Sequence, residues 1–370
     1  MNMKRLKRAG VVLLVMLMIF SMAGCKKKTE APKEETKKEK TEEPKKTEPV
    51  ETKEPEEAPA NQNLLTGLGD LTDGAIGKRP VAVMVNNVQD ALPQYGIGKA
   101  DIIYEIPVEG DVTRLMAVYG DYTTVPKICA IRSCRYYFPA FSETYDAFYV
   151  NWGIDDSIAD YLEALNLDQY DGINNAGGLF GRDQDRLNKG YSLEHTGYFD
   201  GTRFAEVVQS EGRRTDLADD KKGTAFNFNG VNEQLKPEGS DCKTVSIDFG
   251  AASATLTYDE ASKTYLKQIN GNPQMDESTQ TQLAFTNVFV LETDISVRDD
   301  IGHKQLNWNG GNNYTGYYVS NGAVQKIHWY KDANNERSDL HLVDMNGNEI
   351  KVNRGKSYIA VNYPGQSQFQ

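Results

Sequence analysis

Cysteine is scarce, four in 370 residues, and no pair has CxxC or zinc-knuckle spacing, which removes thiol-redox and zinc-ribbon readings. Histidine is equally scarce, four in all, and none stands in an HExxH pattern. A GxSxG nucleophile elbow and a GxGxxG dinucleotide turn are absent too. Gly98-Lys99 has Pro93 and Ala100 where a phosphate loop requires Gly and Ser/Thr. The acidic turn from Asp332 to Asp339 lacks the Gly and closing Glu of a calcium loop. No metal and no cofactor is expected. The chain also lacks an excess of positive charge: its formal balance is −12, which argues against nucleic acid as a partner and against broad adhesion to anionic wall polymers. Finally, no apolar run reaches the ~20 residues that span a bilayer as a helix.

The longest such run, Val11 to Phe20, has the length of a signal-peptide core. Lys4, Arg5, Lys7 and Arg8 precede it, and Ser21-Met22-Ala23-Gly24-Cys25 follows. Small residues directly before a cysteine suit the lipoprotein signal peptidase. Residues 1–24 are therefore expected to be removed, with Cys25 as the new, lipidated N-terminus. An uncleaved anchor helix is the alternative, disfavoured by the early stop of the run at Lys26-Lys27-Lys28. Diacylglycerol plus a palmitate-type acyl chain makes such an anchor stable, where a single chain binds only marginally. The expected location is the extracytoplasmic face of the cell membrane. Without its four signal-peptide cations the mature chain carries about −16.

Residues 25–63 read as the lipidated cysteine and a linker. Its 26–60 stretch holds ten Lys, eleven Glu and five Pro with almost nothing apolar, so it cannot offset its ordering entropy. Such a tether reaches ~115 Å if extended and ~35 Å as a coil. Cys129, Cys134 and Cys242 are expected as buried free thiols, because a unit of this size needs no disulfide.

From 64 to 235 short β-branched and aromatic runs alternate with helical patterns: Val81 to Val85, Ile102 to Val108, Val112 to Tyr119, Ile128 to Arg132 and Phe148 to Trp152 as strands, and Phe138 to Tyr145, Ser157 to Leu165 and Thr202 to Ser210 as helices. This predicts an α/β domain with a mixed sheet. From 236 to 370 the helical period disappears. Asn270-Gly271, Asn321-Gly322 and Asn346-Gly347 mark hairpins, predicting a mostly antiparallel β domain. The fold class expected is α+β.

Charge recurs inside the strand-like segments. Period two places Glu105 and, if the strand continues past Pro107, Glu109 on one face, with Arg114 on the next strand. Arg132-Ser133-Cys134-Arg135 sets two arginines and a serine among apolar and aromatic residues, and Arg182-Asp183 precedes His195. Arginine forks pair with carboxylate or phosphate at two points. A polar cleft built from these strand ends would use Glu109 or Glu105 as acid or base and Arg114, Arg132, Ser133, Arg135, Arg182, Asp183 and His195 to hold a ligand. The same residues would equally serve as an internal ion-pair network with no ligand. Trp308, Trp329 and Tyr330 offer either a sugar-stacking platform or sheet-core aromatics.

At these same stretches the chain resembles a known family. Arg79-Pro80-Val-Ala-Val-Met-Val-Asn86-Asn87, Ala100-Asp101-Ile-Ile-Tyr-Glu105, Val108-Glu109-Gly110 with Thr113-Arg114, and Ile131-Arg132-Ser133 with Arg135 resemble the YerB-like bacterial lipoproteins, a family of two paired domains of unknown function. Arg182-Asp183, His195, Asn287-Val-Phe-Val and Gly355-Lys-Ser-Tyr-Ile359 extend the likeness over about 64–365. Cys134 replaces the usual small residue after Arg-Ser, and Pro273-Gln-Met-Asp276 lacks an expected histidine, so a role for that histidine does not transfer. The resemblance implies an envelope lipoprotein linked to cell-wall metabolism and brings no established reaction.

Two classes of function follow. The first is a membrane-anchored binding or regulatory protein whose partner is a wall fragment or a wall-synthesis protein. The second is a glycan-cleaving or wall-modifying enzyme using Glu109. Glu105 and Glu109 on one strand face would stand ~13 Å apart, too far for the usual carboxylate pair of glycan hydrolysis. Solute capture is a weaker third alternative, because the two halves do not look like similar lobes.

Overall fold

The computed structural model describes residues 57–370. The expected signal peptide, Cys25 and the linker up to residue 56 lie outside the described residues. What is described falls within one compact unit.

Its centre is an eleven-stranded mixed sheet. In order across the sheet lie His341–Val343, Ala323–Tyr330, Gly310–Ser320, Asn287–Glu292, Ser357–Asn362, Ile102–Pro107, Thr113–Tyr119, Val81–Asn86, Phe148–Asn151 and Gln169–Asp171, with Ser240–Asp241 attached to the Ala323–Tyr330 strand. Residues from before and after 235 therefore share one sheet. The seam is the Ser357–Asn362 strand, which runs parallel both to Asn287–Glu292 and to Ile102–Pro107, with Tyr104 opposite Ile359 and Val288 opposite Tyr358. A parallel strand covered on both faces must be apolar along its length, and 357–362 is buried throughout.

The two faces of the sheet bury separate cores. Val83, Ile103, Leu115 and Tyr358 face one way. There they meet Val245, Leu256 and Tyr265 of a six-stranded sheet, antiparallel throughout, from the second half. Met84, Tyr104, Met116 and Ile359 face the other way, against Tyr137, Phe138 and Phe141 of the helix Tyr137–Ser142. At ~1.5–3 kcal/mol per fully buried large side chain, these two layers dominate stability.

Local expectations meet the structure closely. Helices lie at Tyr137–Ser142, Ala159–Leu165 and Phe204–Ser210, each continued by a 3-10 turn. Asn270 and Asn321 take φ of 48° and 46° ahead of their glycines, as type I′ hairpins require. At Asn346-Gly347 only Gly347 is left-handed, and Asp344 instead closes that turn by accepting from Asn346 N and Asn348 N. The three cysteines are buried free thiols. Ile128 to Arg132 was expected as one strand, but the strand is Lys127–Cys129. Beyond it the backbone divides its hydrogen bonds among Gly197, Met84 and Gly153 rather than following one partner. Trp308, Trp329 and Tyr330 form no platform. Trp329 is fully buried with its indole N–H on Glu292 O, and Tyr330 stacks on His341. Among the described residues no helix is long and apolar enough to cross a membrane.

One buried carboxylate gives a pH test of this packing. Glu143 is 2% exposed, and burial pushes its pKa up to about 7, with Arg337 at 2.9 Å opposing and Asp146 adding repulsion. The folded protein thus keeps a proton that the unfolded chain releases near pH 4.5, so this contribution is full below about 4.5 and lost as pH rises towards 7. Glu143→Gln is expected to leave stability near unchanged at pH 4 and to raise it by about 2–3 kcal/mol at pH 8. Urea denaturation at both pH values measures this, and an equal effect at the two would refute it.

Candidate functional site

The acidic and basic residues singled out above separate into three places. Glu105 is sealed inside. It lies on the Ile102–Pro107 strand, fully buried, with Lys267 Nζ 2.9 Å from Oε2, also fully buried. Tyr358 OH donates to Oε2 at 2.8 Å, and Thr113 Oγ1 and Asn87 Nδ2 donate to Oε1. Lys267 donates in turn to Gln274 Oε1. Every oxygen is occupied and no solvent reaches the group, so Glu105 is withdrawn as an acid or base. It also does not share a face with Glu109. The strand ends at Pro107 and Glu109 opens a 3-10 turn, so the chain leaves the sheet before strand alternation can reach Glu109.

Glu109 forms the second place. Arg135 Nε donates to Oε1 at 2.6 Å and Arg135 Nη2 meets the same oxygen, while Arg114 Nη2 lies 3.7 Å from Oε2. Burial alone would raise the pKa of Glu109, but the Arg135 hydrogen bond and the Arg114 charge outweigh it and hold the group below its ordinary value. Arg114 is itself pushed down to about 10 by burial and by the neighbouring Arg135, with Glu109 opposing. A carboxylate so held stays ionised at neutral pH and is a poor general acid.

Residues that gave no sequence signal complete this place. His303 Nε2 lies 3.4 Å from Glu109 Oε1, and His303 Nδ1 lies 2.7 Å from Asp299 Oδ2 and 3.4 Å from Asp155 Oδ2. Asp299 and His303 sit in a polar stretch without periodicity, in the loop of the hairpin Ile295–Val297/Lys304–Leu306, and Asp155 caps the 3-10 turn Asp156–Ile158. Asp155, Asp299 and His303 have donors close enough to share a metal ion. Arg298, however, sits between the carboxylates, ion-paired to Asp155 and 3.5 Å from Asp299. The cation position is thus taken by a guanidinium, and the residues do not fit a metal.

The third place lies along Arg132, Ser133, Arg182 and His195. Arg132 N donates to Met84 O and Trp152 N to Arg132 O, which fixes the segment beside the end of the Phe148–Asn151 strand. Arg182 lies flat over Trp152, 4.1 Å from the ring centroid, and donates to Leu193 O. The ring fits because Gly172 and Gly197 have no side chain: a Cβ on Gly172 would stand 2.6 Å from it and one on Gly197 3.0 Å. Trp152, flanked by Asn151 and Gly153 at a strand end, was not picked out from sequence. Arg132 has one carboxylate partner, Glu194, at 3.1 Å, and Glu194 is 56% exposed. Arg182 has no carboxylate partner among the described residues, the Arg132 Nε–H is buried without an acceptor, and no described partner holds the Ser133 hydroxyl. Asn86 Nδ2 donates to His195 Nδ1 at 3.0 Å. Burial keeps His195 below its ordinary pKa, Glu194 opposing, so the ring is neutral at pH 7, with Nε2 3.9 Å from Glu194 Oε1.

Asp183 does not join them. It is 4% exposed, caps the helix Gln184–Asn188 by accepting from Arg186 N, and is ion-paired to Lys127 at 2.6 Å. Its part is to place Arg186, which holds the carbonyls of Ala91, Pro93 and His195.

Residues 65–214 match the family described as protein of unknown function (DUF3048), N-terminal domain, and residues 245–359 match the DUF3048 C-terminal domain. The chain is 27% identical over 280 residues to a Bacillus subtilis (strain 168) protein named "Putative lipoprotein YerB", covering 74% of this chain and 80% of that one. The crystal structure of YerB from Bacillus subtilis matches with a TM-score of 0.69 over 83% of this chain and 98% of that chain, at 23% identity. That structural likeness shows a shared α+β fold.

Proposed function

Because the chain belongs to the DUF3048 family of YerB-like lipoproteins, we propose that it is a lipid-anchored binding protein of the extracytoplasmic envelope whose Arg132–Ser133–Arg182 face takes an anionic group of a cell-wall fragment. The observation that carries this reading is donor surplus. Two guanidinium groups and a hydroxyl share one face, and among the described residues the one carboxylate paired with them is the exposed Glu194. Arg182 is exposed and Arg132 half-buried, so an anionic ligand can meet the outer nitrogens of both guanidinium groups at two points. Trp152 offers a ring edge beside the same arginine. The rest of the chain is acidic, so a local basic face selects a placed anion rather than adhering to any polyanion. Glu109 is a positioning residue on this view, holding Arg114 and Arg135 while Arg114 donates to Ser133 O.

The test is sedimentation of the mature chain with purified wall sacculi, with mass spectrometry of the supernatant. Saturable pelleting that weakens at least tenfold in Arg132→Gln/Arg182→Gln, at unchanged melting temperature, is the expected result. Pelleting should also fall as salt rises. Failure to pellet, or equal pelleting of the double variant, would overturn the proposal. Release of wall fragments that stops in Glu109→Gln would make the protein an enzyme instead.

A further inference from the structure

One apolar-lined cavity of the described unit lies away from the arginine face and contains none of the residues discussed there. Its volume is about 480 Å³, and its interior is built from Leu65, Leu71, Tyr145, Phe226, Leu340 and Val352. The wall is assembled from distant parts of the chain: residues 63–80 after the linker, Thr144-Tyr145, the connection at 217–227 between the two family matches, and the edge of the sheet at 339–352. A ligand held there would touch both halves at once.

Polar groups stand at the margin and are already paired with one another. Lys221 Nζ lies 2.6 Å from Asp339, and His341 Nδ1 2.7 Å from Glu349. Inside, the tyrosine hydroxyl of Tyr145 is bonded to Tyr104 OH, and Thr144 Oγ1 accepts from Lys331. Water needs two to four polar partners to be held well, and this interior has few to offer. An apolar body displacing such water gains free energy. The chain's own linker cannot be that body, because residues 26–56 contain only Ala31 and Val50 as apolar side chains. Lys78, Lys221, Asp220, Asp339 and Glu349 mix both signs along the margin, which asks for no large net charge on the occupant. At ~30 Å³ per water-sized group the volume holds about sixteen such groups, room for a chain of about a dozen carbons and its polar head, within the ~300–1,000 Å³ of small-molecule sites.

We infer that this cavity is a binding site for a single-chain amphiphile, an aliphatic chain with one small polar head resting at the Lys221–Asp339 margin. A protein tethered to a bilayer lives beside a supply of such molecules.

The probes are dodecanoate and dodecan-1-ol, each below its aggregation limit. They are titrated calorimetrically into the mature chain carrying Cys25→Ser, which brings no lipid of its own. One saturable site per chain is expected for both. Ala75→Phe and Leu217→Trp fill the cavity from two separate chain segments, since both residues are buried and line it. Each should weaken binding at least tenfold with the melting temperature held or raised, and either suffices if the other fails to fold. Lys221→Met should weaken dodecanoate several-fold and leave dodecan-1-ol unchanged. Absence of saturable binding by both probes, or full binding in a folded plugged variant, would overturn the inference. Equal dodecanoate binding by Lys221→Met would overturn the placement of the head.

Discussion

Lys267→Met is expected to lower the unfolding free energy by about 3–5 kcal/mol, the cost of leaving a buried charge without its partner. Lys267 and Glu105 are both fully buried, 2.9 Å apart. Removing the ammonium leaves a carboxylate in a dry core with only the hydroxyls of Thr113 and Tyr358 and the amide of Asn87 to hold it. Glu105 and Asn87 come from the first half of the chain, while Lys267, Gln274 and Tyr358 come from the second. Gln274 also donates to Asn87 Oδ1 at 2.8 Å. The network therefore ties the halves together, and its loss should act on the whole unit. Glu105→Gln/Lys267→Met removes both charges while keeping an acceptor for Tyr358, and should recover at least half of the loss. Urea denaturation of the two single variants and the double measures the coupling. A loss below about 1 kcal/mol in Lys267→Met would show that the pair does not hold the seam.

The second large effect belongs to Arg186. It is 1% exposed and stands between the rings of Tyr95 and Tyr191, 4.7 and 4.8 Å from their centroids. Its guanidinium donates to Ala91 O and His195 O at 3.0 Å and also to Pro93 O. Arg186→Met would fill much of the space but leave buried carbonyls without donors, at ~1–3 kcal/mol each. A loss of about 3–5 kcal/mol is expected. Because the 193–195 turn hangs from this residue through His195 O, the arginine face should loosen first. Hydrogen exchange of the 193–197 amides should accelerate in the variant at temperatures where the central sheet stays protected. Unchanged exchange there, or a stability loss under about 1 kcal/mol, would contradict this role.

Several parts of the fold are legible before any coordinates. Val81–Val85 and Tyr358–Val361 are continuous apolar runs and lie in the fully buried strands Val81–Asn86 and Ser357–Asn362. Asn270-Gly271 and Asn321-Gly322 turn because few other residue pairs accept two successive left-handed conformations. The helices at Tyr137–Ser142, Ala159–Leu165 and Phe204–Ser210 follow from side-chain spacing. The charged residues were legible only as unusual. Alternation says which face a residue takes while the strand lasts, and Glu109 lies just beyond its end.

By itself, then, the sequence determined the class of the chain: an acidic α+β protein with a signal-peptide pattern ending at Cys25 and a Lys/Glu/Pro-rich stretch after it, of a family readable from its motifs. Those features depend on composition and on neighbours a few residues away. Only the tertiary structure decided the fate of each charge. Glu105 met Lys267 and became part of the core, Glu109 met Arg135 and Arg114, Asp183 met Lys127, and Arg182 settled on Trp152 with no carboxylate partner among the described residues. The physical reason is that a charge is neutralised by whatever lies within about 4 Å of it, and for these residues most such partners arrive from distant strands and loops that only the folded sheet brings together.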